Sequence, residues 1–99
     1  MSELDKLEQY LKQNGYNYKR KDKDFIDHGY WTELDEHQII VYDEECNRRF
    51  DAICHSGSFG YKEGLLEIMG DIVTEEDGDS VVGYLTAEDV IKRIEGKVM

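Results

Sequence analysis

The residues with the best-placed donors and nucleophiles fall in one run, Cys54-His55-Ser56-Gly57-Ser58-Phe59-Gly60-Tyr61-Lys62. Glycines between a strand and a helix release backbone N–H groups at the helix N-terminus. Such groups hold a phosphate or carboxylate, and Lys62 with the serine hydroxyls would add donors. His55, Ser56, Gly57, Ser58, Gly60, Tyr61 and Lys62 are therefore the candidate small-ligand site. The run matches neither a P-loop nor a dinucleotide fingerprint. An ordinary turn, with Gly at an unusual φ and Ser capping the helix, accounts for the same residues without a ligand.

Cys54 and His55 are neighbours on an expected strand, so they point to opposite faces. A nucleophile and its base must meet within hydrogen-bond reach, so this pair alone makes no Cys-His couple. Only the fold can bring His28 or His37 to either one. The bland alternative is a buried Cys beside a half-exposed His at a strand end. The histidines and cysteines show no CxxC, HxxxH or HExxH spacing, and Glu75-Glu76-Asp77-Gly78-Asp79 lacks the calcium-loop ligand pattern. No metal, cofactor or catalytic residue is assigned.

These residues need a scaffold. Ser2 caps a helix over residues 3–14, with Leu4, Leu7 and Leu11 on one face and Gly15 beyond its end. Tyr16 and Tyr18 alternate with polar residues as a short strand, and the basic cluster Lys19, Arg20, Lys21 and Lys23 is its end or the following turn. Phe25, Tyr30 and Trp31 lie in an acidic loop or irregular strand. Gln38–Tyr42 and Arg49–His55 form a hairpin around a five-residue loop, with Phe50, Ala52 and Cys54 on one face. The apolar residues from Leu65 to Val73 fit a helix stripe. Ser80–Leu85 is a strand. Thr86 caps a last helix, with Asp89 at the capping-box position, Val90, Ile91 and Ile94 inward and Gly96 at its end. The order is α-β-β-β-α-β-α. The expected fold is a single α+β domain over residues 1–99, an antiparallel or mixed sheet of about four strands packed with three helices.

Charge says most about partners. The chain has 99 residues and a formal net charge of -11. Residues 1–23 hold six basic and four acidic side chains, and residues 24–99 hold six and nineteen. That field repels nucleic acid and anionic membrane and attracts basic surfaces. Aromatics interleaved with acids suit a protein interface better than a nucleic-acid platform. The polar N-terminus is not a signal peptide, and no run reaches the length of a membrane span. Two cysteines make no disulfide framework, so a reducing cytoplasm is the expected compartment.

At AICHSGSFGYKEGLLEIMGDIV and DGDSVVGYLTAEDVIKRI the chain resembles short uncharacterised proteins of phages and prophages of Gram-positive bacteria, over about residues 37–95. The resemblance implies no motif-level function, so no catalytic residue carries over. The resemblance implies a context in which small acidic accessory proteins bind and block host proteins, including nucleic-acid-binding defence factors. The expected function is thus a non-catalytic inhibitor acting on a basic host surface in the host cytoplasm. Its contacts would be Glu44, Glu45, Glu75, Glu76, Asp77 and Asp79, whose carboxylates stand in for phosphates. The alternative is a small-molecule or nucleotide-signal sponge that uses the Gly-rich loop 56–62. Last comes a small hydrolase built on His55 and a nearby carboxylate.

Overall fold

The computed structural model describes residues 2–23, 26–27, 29–30, 32–33, 36–54, 60–74, 77–78 and 80–98. Its elements are α1 (Glu3–Gln13), β1 (Asn17–Lys23), β2 (Ile26–Asp27), β3 (Thr32–Glu33), β4 (Glu36–Tyr42), β5 (Arg48–Ile53), a 3-10 turn at Tyr61–Glu63, β6 (Leu66–Gly70), β7 (Val81–Leu85) and α2 (Ala87–Val98). The fold is α+β. Five strands form one antiparallel sheet in the order β1-β4-β5-β6-β7. β2 and β3 pair separately and keep the β1–β4 register, so Ile26 faces Glu33 as Lys23 faces Glu36.

Both helices lie on one face of the sheet. α1 turns Leu4, Leu7 and Leu11 inward, and α2 turns Val90 and Ile94 inward. They meet Ile39, Val41, Phe50, Ala52, Leu66 and Ile68, the residues that alternate onto that face of β4, β5 and β6. Both helix starts are set by local chemistry. The Ser2 hydroxyl accepts from Asp5 N–H at 3.1 Å, and the Asp5 carboxylate accepts from Ser2 N–H at 3.1 Å. Thr86 and Asp89 repeat this capping box at 3.1 and 3.0 Å. α1 ends as expected: Gly15 takes φ +71 and Tyr16 N–H donates to Leu11 C=O at 3.0 Å, a Schellman closure.

The expected third helix is absent, because residues 66–70 form the strand β6. Leu66 and Ile68 are buried while Glu67 and Met69 are not, so the period is two. The run is apolar enough to satisfy both periods, and the slot between β5 and β7 selects the strand. Gly70 reinforces that choice. Its φ is +106, and a Cβ there would stand 2.5 Å from the Arg49 carbonyl oxygen of β5. Of the two readings of the basic cluster, the strand end holds, since Lys19–Lys23 is part of β1. One further expectation is corrected: Gly96 lies inside α2 rather than at its end.

Candidate functional site: an acidic cleft at one end of the sheet

The hairpin loop between β4 and β5 is held rigid by Asp43. Its Oδ1 accepts from the N–H groups of Glu45 and Asn47, each at 2.9 Å. Its own N–H donates to Asn47 C=O at 2.9 Å, and its carbonyl accepts from Cys46 N–H at 3.0 Å. The N–H of Asn47 chiefly, with that of Glu45, holds the Asp43 carboxyl below its ordinary value despite partial desolvation. This brace carries Glu44 and Glu45 at its tip, both exposed and neither paired with a described basic side chain. The sequence singled out the two glutamates but not Asp43. An Asp opening a five-residue hairpin loop is the signal that would have found it.

Glu44 and Glu45 form the lip of a cleft of about 780 Å³. Tyr16, Tyr42, Phe50 and Ile94 supply its apolar and aromatic walls. Asp71 and Arg49 also line it, the Asp71 carboxylate held by Arg49 Nε at 2.7 Å. Carboxylates at a rim above aromatic walls suit a Lys or Arg side chain, whose stem packs on rings while its head meets the acids.

The remaining acids of the expected contact set divide in two. Glu75, Glu76 and Asp79 lie outside the described residues. Asp77 is described, and it is a structural acid. Arg93 of α2 grips it through Nη1 at 2.9 Å and Nη2 at 2.8 Å, and Thr74 N–H donates to it at 2.7 Å. The guanidinium first, then the Thr74 N–H, hold this carboxyl far below the usual range. The same Arg93 donates to Ile72 C=O at 3.0 Å, so the pair fastens the turn after β6 to α2. Asp77 is thereby removed from the exposed contact set.

The Gly-rich site fares differently. His55, Ser56, Gly57 and Ser58 lie outside the described residues. Gly60 is buried at φ +95, and a Cβ there would meet Leu65 Cβ at 3.0 Å and Tyr84 Cα at 3.1 Å. Its glycine is a packing requirement against β7. Tyr61 and Lys62 begin a single 3-10 turn that leads into a strand, and Lys62 is exposed. The long helix whose N-terminus was to hold an anion does not exist here.

The basic residues also answer the phosphate question. All four arginines are committed to carboxylates: Arg20 to Asp5, Glu8 and Asp22, Arg48 to Asp51, Arg49 to Asp71, and Arg93 to Asp77. Guanidinium groups are the strongest phosphate forks a protein has, and these are occupied by the chain's own acids. Within the basic cluster, Arg20 turns toward α1, while Lys19 and Lys21 are exposed.

A second cleft, of about 580 Å³, opens at the other end of β4. Asp22, His37 and Cys54 all line it, together with Arg20, Lys62 and the start of α1. His37 Nδ1 lies 3.0 Å from Asp22 Oδ1. Burial raises the Asp22 carboxyl, but the His37 hydrogen bond and the Arg20 guanidinium outweigh it and hold the group below its ordinary value. No group of three or more His, Cys, Asp or Glu among the described residues is placed to hold a metal ion. No helix among them is long and apolar enough to cross a membrane. In comparisons with known proteins, no family model, no curated protein and no solved structure matches the chain.

Proposed function

We propose that this protein is a non-catalytic binding protein that docks a basic protein surface in the acidic cleft, and that it is a phage-type accessory protein whose docking blocks a host factor. The observation that carries this reading is the braced loop. Asp43 fixes the backbone beneath Glu44 and Glu45, so two uncompensated carboxylates are presented without the ordering cost a mobile loop would bear. The aromatic walls below them supply the apolar contact that a purely electrostatic encounter lacks. A host protein that uses Lys or Arg to bind nucleic acid is the partner class this surface suits, because its cations would meet the rim carboxylates where they otherwise meet phosphates.

The test is an NMR titration of the labelled protein with a Lys/Arg-rich peptide at low salt. Amide shifts concentrated at residues 14–17, 42–45 and 71 are expected. They should fade as salt shortens the Debye length to about 3 Å at 1 M. Glu44→Lys with Glu45→Lys should weaken binding at least about tenfold, roughly 1.4 kcal/mol. Shifts spread evenly over the surface, or an affinity indifferent to both changes, would end this reading.

A further inference from the structure

The second cleft contains a row of groups that the acidic-cleft reading does not use. On adjacent antiparallel strands, Asp22 of β1 stands opposite His37 of β4. Gln38 pairs with Ile53, and Cys54 N–H donates to His37 C=O at 2.9 Å, so the ladder continues one residue and sets Cys54 opposite His37. Directly opposed residues share a face, with Cβ atoms about 5.5 Å apart in such a pair. Asp22, His37 and Cys54 therefore form one cross-strand line on the helix-bearing face. Carboxylate, imidazole and thiol stand there in the order that activates a nucleophile: the acid holds the ring through Nδ1, and the thiol-bearing residue stands opposite His37 on the next strand.

Other surroundings of Cys54 pull both ways. Lys62 lines the same cleft and favours a thiolate, whereas Arg20 there is already committed to Asp5, Glu8 and Asp22, and the first turn of α1 is closed by its own capping box. The Glu3 carboxylate, 3.4 Å from Lys6 Nζ, and the apolar core against which Cys54 packs oppose a thiolate. Cys54 is half-buried rather than sealed off. Cys46 offers an internal comparison, since it is exposed on the hairpin loop with no imidazole in its brace.

We propose that Cys54 is a reactive thiol and a site of covalent modification by low-molecular-weight disulfides, with His37 as its base and Asp22 as a positioning residue. His37 takes the thiol proton, and the thiolate attacks one sulfur of the disulfide. The S–S bond breaks, a mixed disulfide forms on Cys54, and the departing thiolate recovers the proton from His37.

The experiment is competitive labelling of the intact protein with iodoacetamide at pH 7, read residue by residue by peptide mass spectrometry. Oxidised glutathione is then used as the disulfide probe. Cys54 should react at least about tenfold faster than Cys46, and faster than Cys54 itself in urea, as an activated thiol does. His37→Gln should remove that advantage, and Asp22→Asn should reduce it, while circular dichroism confirms the fold of each variant. Glutathione should add to Cys54 in preference to Cys46. Labelling of Cys54 no faster than in urea, or a rate unchanged by His37→Gln in a folded variant, would overturn the proposal.

Discussion

At Asp77 a carboxylate accepts two guanidinium N–H groups from Arg93 and a backbone N–H from Thr74. At Asp5 the backbone N–H of Ser2, and then the Arg20 guanidinium, hold the carboxyl at about 2, against an ordinary value of 3.8. A carboxylate depressed in the folded state contributes stability that is fully present above its unfolded pKa and is lost as pH falls through its folded one. The melting temperature should therefore hold down to about pH 4 and fall steeply toward pH 2, the Asp77 share being lost last. Asp77→Asn should lower the melting temperature at pH 7 and flatten the acid limb, which thermal scans across that range will show. Both aspartates were visible in the sequence only as acids, although the bond of Asp5 is local, its partner Ser2 being three residues away. The partner of Asp77 is sixteen residues away on another element, a distance that no local spacing encodes.

Elements divide along the same line. The two helix caps and the closing turn of α1 are local devices: the sequence shows Ser2 as an N-cap, Thr86 with Asp89 as a capping box and Gly15 beyond α1, while the reciprocal Ser2–Asp5 bond comes from the structure. The segment Leu65–Val73 shows the limit, since six apolar residues in nine satisfy the helical and the strand period alike, and pairing partners outside the segment decide. Substitutions discriminate the outcome. Ile68→Ala should cost about 2–5 kcal/mol in denaturant unfolding, as for a fully buried aliphatic side chain. Gly70→Ala should cost about 2 kcal/mol or more, because the new Cβ meets backbone on β5 and the residue holds a positive φ. An exposed helix would gain stability from the same Gly-to-Ala change. Register was the other hidden quantity. The five-residue loop sets Tyr42 opposite Arg48, but a bulge between Val41 and Tyr42 shifts every later pair by one. That shift places His37 rather than Glu36 opposite Cys54, so the Asp22-His37-Cys54 row cannot be read from hairpin spacing alone.

On the scale of the whole molecule, the excess of acid survives the internal pairing. The arginines are consumed by neighbouring carboxylates, and what remains uncompensated at the Tyr42 end of β4 is Glu44 and Glu45 above an aromatic cleft. The two clefts stand at opposite ends of one central strand, five residues and roughly 17 Å apart, so charge reversal at one leaves the other intact. The charge bias was legible from composition, whereas the cleft beneath the glutamates required the α1–β1 turn and the β4–β5 loop to meet in space. The most direct measurement is affinity capture from a Gram-positive bacterial lysate at low salt, comparing the wild type with Glu44→Lys/Glu45→Lys and reading the complexes by native mass spectrometry. The account predicts that the wild type retains a basic protein, that this protein is released by ~0.5 M salt, and that the double variant fails to capture it. Equal capture by both proteins, or a partner indifferent to salt, would contradict it.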